Sequence, residues 1–276
     1  GLGLIGAAFG LGFIIGPAAG GILSQWGYSV PAFAAAGVAT LNFMAILFLL
    51  PESLTPERRE EINQRKQLPF TLKALVEVLR RPKVGPLLHV RFFYGLGFAM
   101  FQGIFSLYTQ TIGLSAQTTG YILAYVGLIS VIVQGVLIGR LTKRFRENWL
   151  IITGLWVMAL ALLAWGFITK LWLLLIVILP LGLAGGVLNT VLQSAISKSV
   201  NRDEVGGILG IAGSLEAFTR VIAPSTGGFL LQSLGIWAPG VFSALALGWA
   251  VTFAYRRIVL PSIKERRMAE AEITQS

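Results

Sequence analysis

Apolar residues run through this chain in long unbroken blocks, approximately 1–23, 30–50, 86–110, 117–139, 149–168, 171–197, 205–232 and 237–258. Each block is near the length of about 20 residues that carries an α-helix across a hydrocarbon core of about 30 Å. None alternates with period two, so a closed β-barrel, the other fold that spans lipid, is not indicated. The pattern predicts an all-α membrane protein with eight transmembrane helices. Between blocks two and three, Thr71–Arg81 places Leu72, Leu75, Val76 and Leu79 on one face between Pro69 and Pro82. That spacing predicts a short amphipathic helix lying along the headgroups.

Composition agrees with the pattern. Apolar residues make up 55% of the 276 and charged residues 12%, and the mean hydropathy is +0.77. Most of the net charge of +10 sits in alternate connectors. Segments 51–85, 140–148, 198–204 and the tail from Arg256 carry eight, four, two and five Lys/Arg, whereas 24–29, 111–116, 169–170 and 233–236 carry only Lys170. By the positive-inside rule the rich set faces the cytoplasm, so the surplus reports orientation in a cell membrane and contact with anionic lipid rather than nucleic-acid binding. The absence of cysteine excludes disulfides and thiolate metal sites, and no cleavable signal is visible.

The first and seventh blocks are copies of one another. At a constant offset of 207, Gly6/Gly213, Ile15/Ile222, Pro17/Pro224, Gly20/Gly227, Gly21/Gly228 and Leu23/Leu230 coincide. A mid-helix proline followed by paired glycines is costly to a helix, so its repetition in register argues for duplication of a six-helix unit. Because only one helix follows the second copy, the proline-glycine helix is fifth of six. Four helices are then expected before residue 1, and the chain reads as the C-terminal part of a twelve-helix protein. Residues 1–50 would be the last two helices of the first half, 51–85 a central cytoplasmic loop, 86–258 the second half and 259–276 a cytoplasmic tail.

Gly12–Gly21, GFIIGPAAGG, resembles the G-x-x-x-G-P-x-x-G-G pattern in the fifth helix of proton-driven drug exporters of the major facilitator superfamily, the tetracycline-efflux group included. Pro51–Ser53 after the second block, and Gly139–Glu147, resemble the end of that family's first half and the degenerate second copy of its basic loop pattern. Lys143 stands where the loop pattern has an acid, so a carboxylate switch does not carry over. The resemblance implies two parallel halves rocking about a central cavity, with export of a small drug-like compound driven by inward proton flow. A proton–solute symporter of the same fold is the alternative within transport. A transport-dead scaffold or sensor is the alternative outside it.

Candidate site residues fall in four groups. Gly12, Gly16, Pro17, Gly20 and Gly21 form a small-residue stripe with a bend, suited either to plain helix packing or to sealing the halves. Glu216 and Arg220 lie deep in the seventh block at i, i+4, about 16 Å from its start at 1.5 Å per residue. They are either a self-neutralised pair tying helices together or part of substrate or proton handling; as a pair, losing one member should hurt more than losing both. Tyr94, Phe98, Phe101, Phe105 and Tyr108 recur every three or four residues beside Gln102, a packing face or a cavity wall for flat apolar or cationic compounds. Asn189, Gln193 and Ser197 form one polar row, and Tyr121, Tyr125 and Gln134 are weaker candidates of that sort. His89 and Arg91 are expected to snorkel toward headgroups. No phosphate loop, paired catalytic acids, nucleophile elbow or metal cluster is legible, so no enzyme, cofactor or metal is expected.

Overall fold

The computed structural model describes residues 12, 15–49, 72–201 and 204–263, and these are helical apart from short turns. A helix, α1, occupies 15–23 and ends in a turn at Ser24–Trp26. There follow α2 (Ser29–Leu49), α3 (Leu72–Arg80), α4 (Val84–Thr111), α5 (Ala116–Arg144), α6 (Glu147–Trp165), α7 (Leu171–Lys198), α8 (Val205–Ser233) and α9 (Ala238–Ile263). Seven of these, α2 and α4 to α9, are long and apolar enough to cross a membrane. The first expected span lies largely outside the described residues, as do the loop at 51–68 and the tail from 264.

Helices α4 to α9 make one bundle. The closest packed pairs are α4 with α8 and α9, α6 with α7 and α9, and α5 with α7. Their shared core includes Leu88, Phe101, Leu155, Leu162, Leu188 and Leu247, all fully buried. The outward surface is equally apolar, with Trp156, Leu160, Ile176, Val221 and Leu245 exposed, as expected where the surrounding medium is lipid. Helix α2 has no buried residue at all and presents Phe33, Leu41 and Phe48 outward.

Two backbone approaches fix the proline-glycine helices. In α1, the Pro17 carbonyl and Gly21 meet Gly120 of α5 so closely that a Cβ on Gly120 would stand 2.8 Å from the Gly21 Cα. In α8, the Pro224 ring sits on Gly103 of α4, where a Cβ would come 2.5 Å from its Cγ. The expected stripe of Gly12, Gly16 and Gly20 makes neither contact, since no atom lies within 4 Å of a Cβ built on any of them. Among the described residues, the close approaches of these two helices are made by Gly21 with the Pro17 carbonyl and by the Pro224 ring.

Two boundaries and one docking differ from expectation. The segment 140–148 is not an open loop: α5 continues to Arg144 after a π-turn at Val133–Leu137, and the chain reverses over two residues. Likewise α9 runs past residue 258 to Ile263 through a π-turn at Tyr255–Val259. Helix α3 forms as expected, but it docks on the bundle, with Val78 4% exposed and the Leu79 carbonyl against Gly85. Beside it, Arg81 is tied to Glu204 at 3.0 Å, joining the start of α4 to the start of α8.

Candidate functional site

The charged residue that organises the membrane interior is Arg91. It lies seven residues into α4, about 10 Å along the helix axis, and it is only 6% exposed. Its Nη2 donates to Glu216 Oε2 at 2.8 Å and to Asn189 Oδ1 at 3.3 Å. The snorkelling expected for it does not occur. Placing a guanidinium at this depth without a counter-charge would cost several kcal/mol, and α8 supplies the carboxylate and α7 the amide that offset it. His89, two residues closer to the helix start, faces the Gly85 carbonyl at 2.8 Å.

Glu216 divides its two oxygens. While Oε2 accepts from Arg91, Oε1 accepts from Arg220 Nη2 at 2.7 Å. The i, i+4 pair expected on α8 is therefore present, as one side of a triad. Burial across it is graded, with side-chain exposures of 7% for Arg91, 32% for Glu216 and 68% for Arg220. Among the described residues, the buried Nε of Arg91 has no hydrogen-bond partner.

This triad stands where two cavities meet. The first, of about 360 Å³, is lined by Pro17 of α1, by Tyr94, Phe98, Phe101 and Gln102 of α4, by Ser130 and Gln134 of α5, by Asn189 of α7, and by Glu216, Thr219 and Arg220 of α8. The second, of about 650 Å³, is lined by Thr190, Gln193, Ser194 and Ser197 of α7 and Leu209 of α8 together with Arg91, Asn189 and Glu216. The Tyr94 hydroxyl donates to the Gly185 carbonyl at 2.9 Å, and its ring stacks on Phe98 at 6.0 Å, so the aromatic wall is held in place from α7.

Among the sequence candidates, Tyr94, Phe98, Phe101, Gln102, Asn189, Glu216 and Arg220 share the first cavity with Pro17, and Gln193 lines the second. Phe105 is not on either wall. It is fully buried between Phe101 and Tyr108, and Tyr108 is pinned against α6 by donating to the Trp165 carbonyl at 2.8 Å. Gly12, Gly16, Gly20 and Gly21 also lie off the cavities' walls. Arg91 and Thr219 were missed by sequence reasoning. A signal for Arg91 existed: α4 carries one arginine well inside a span, and Glu216 has a second oxygen that Arg220 alone does not need.

The major facilitator superfamily model matches residues 1–145 and again 87–274. The chain belongs to the major facilitator superfamily. Relatives include solute carrier family 22 member 18 of Rattus norvegicus, 30% identical over 236 residues, 84% of this chain and 57% of the relative. The class C tetracycline resistance protein of Escherichia coli is 29% identical over 279 residues, 99% of this chain and 66% of the relative. Multidrug resistance protein 2 of Bacillus subtilis (strain 168) is 25% identical over 262 residues, 92% of this chain and 64% of the relative. The chain thus spans less than two thirds of the length of each of these superfamily relatives. It is a multi-pass membrane protein of that superfamily.

Proposed function

We propose that this superfamily member forms part of a secondary transporter working by alternating access, exporting a small aromatic compound against inward proton flow. The observation that carries the reading is the triad of Arg91, Glu216 and Arg220 on the wall of an aromatic and amide-lined cavity. Buried ionisable groups in a membrane interior are expensive and mark substrate or ion pathways. A cavity of this size suits a small ring system, within the roughly 300–1,000 Å³ of ligand sites.

Cavity-lining groups arrive from both sides of the Pro17–Gly120 crossing. Rocking of α1 and α2 against α4 to α9 would then open and close the second cavity toward the basic end, which the positive-inside rule expects on the cytoplasmic side. Proton flow requires a carboxylate that exchanges partners, and Glu216, bridging two arginines, is the acid on the described wall that could do so. Names of the relatives favour two cargo readings: resistance to tetracycline points to export, and solute carrier leaves room for symport.

Inverted membrane vesicles holding the natural full-length protein, loaded by an imposed pH gradient with tetracycline outside, test this. Uptake that collapses with the gradient supports proton-coupled export. Flux in the opposite sense under the same gradient would favour the symporter, and no gradient-dependent flux of tetracycline or the probes named below would leave the scaffold reading.

A further inference from the structure

The chemistry of the cargo is narrowed by the charges on the cavity wall. Among the described residues lining the first cavity, the ionised groups are Arg91, Glu216 and Arg220, two guanidiniums against one carboxylate. The second cavity adds no further charge to Arg91 and Glu216. The described wall therefore carries a formal surplus of one positive charge, in surroundings where an unmatched charge acts far more strongly than in water.

The two guanidiniums are also under-used. An arginine offers five N–H donors in a planar fork suited to carboxylate or sulfonate oxygens. Glu216 gives each of them a single oxygen, and Asn189 accepts from the two Nη atoms of Arg91 at 3.5 and 3.3 Å. Arg91 is left with a buried Nε that has no partner among the described residues, although 6% exposure puts it out of reach of bulk water. Arg220 stands 68% exposed with Nη2 alone engaged. A buried donor without an acceptor is costly, and here it belongs to a residue that lines both cavities. Tyr94 and Phe98 lie on the same wall with rings stacked in near-parallel planes.

Resting on the transport reading above, we infer that the cavity takes an aromatic compound bearing an anionic group, a carboxylate or sulfonate, with the acid at Arg91 and Arg220 and the ring against Tyr94 and Phe98. This reverses the preference for cations that the aromatic stripe suggested on its own. Attraction of a cation to a ring face is weaker than its repulsion by two guanidiniums that share one counter-charge. Binding of the anion would also compete for the Glu216 carboxylate's partners, so cargo and carboxylate would exchange places on the same pair of arginines.

A matched pair of probes tests the inference: naphthalene-sulfonate and naphthyl-trimethylammonium share a ring and carry permanent charges of opposite sign. Flux of each is measured with the natural full-length protein in vesicles under the imposed pH gradient, and binding of each is measured to the purified protein in detergent. The sulfonate should be bound and moved and the ammonium excluded, with Arg220→Gln raising KM for the sulfonate about tenfold and Arg220→Glu admitting the ammonium. Ammonium carried and sulfonate ignored, alongside tetracycline flux, would overturn the anion preference and leave transport standing. Sulfonate flux with KM unchanged in Arg220→Gln would likewise overturn the assignment to these arginines. No flux of tetracycline or either probe from folded protein would remove the transport reading, and the anion preference with it. Comparing the two probes on unmutated protein needs no variant to fold.

Discussion

Glu216 holds two arginines of very different burial, and this asymmetry orders the effects of mutation. Glu216→Gln strips the counter-charge from Arg91, whose side chain is 7% exposed, and should cost about 3–5 kcal/mol. Arg220→Gln touches a partner 68% exposed and should cost no more than about 1 kcal/mol. Thermal melting of the purified protein in detergent reads the order, and equal losses would show that Arg91 does not depend on Glu216. The double change, Glu216→Gln with Arg220→Leu, should not recover the loss, because Arg91 is still left alone; rescue would have been expected had the i, i+4 pair been self-contained. The pair itself was legible because helix geometry brings i and i+4 together locally. Arg91 was not, since its partners are 98 and 125 residues away and the packing register of α4 against α7 and α8 is not written in any local period.

Among the elements, helix positions were legible and the directions of their faces only partly so. Blocks 171–197 and 205–232 correspond closely to Leu171–Lys198 and Val205–Ser233, because hydrophobic length is set by the membrane itself. The aromatic stripe on α4 was read as one face, yet Tyr94 and Phe98 line the cavity while Tyr108 packs on Trp165 of α6 and Phe105 is buried between Phe101 and Tyr108. A spacing of four, three, four, three averages 3.5 residues, and on a helix of 3.6 it drifts by about 20° per heptad, so the stripe winds from one neighbour to the next. The two π-turns were invisible to a pattern search, since a single added residue leaves no mark on hydropathy averaged over a span. Packing of α8 on α4 gives a sharp contrast between glycines. Gly103→Ala would set a methyl 2.5 Å from the Pro224 Cγ, and overpacking of this kind costs about 1–3 kcal/mol. Gly213→Ala, on α8 itself, meets no atom within 4 Å and should be neutral or stabilising by up to about 1 kcal/mol. The melting temperatures of the two variants should move apart; a shared loss would mean that the proline does not rest on Gly103.

At the scale of the whole molecule, the ends of the bundle are chemically distinct. Arg140, Lys143, Arg144, Lys198, Arg256 and Arg257 gather where α5, α7 and α9 end and where α6 and α8 begin, while the opposite end bears Lys170 alone among the described basic residues. By the positive-inside rule the basic end is expected to face the cytoplasm. Since this sequence has no cysteine, single substitutions in a cysteine-free full-length background give a clean test. A membrane-impermeant maleimide should label Gln110→Cys, at the last turn of α4, on intact cells. Thr142→Cys, near the end of α5, should be labelled only after permeabilisation. The reverse result would invert the topology and, with it, the direction of the proposed export.

Because Arg91 and Glu216 are 125 residues apart, they are also separated in time. At roughly 5–20 residues per second, a ribosome delivers the carboxylate about 6–25 seconds after the guanidinium. Throughout that interval α4 enters the bilayer without the carboxylate that offsets its charge in the folded bundle. The insertion machinery must shelter a nascent helix that the finished protein no longer needs sheltered. A chain halted after Glu204 should therefore be cleared by membrane quality control, and Arg91→Leu should prolong its life although the same change removes the anchor of the mature triad.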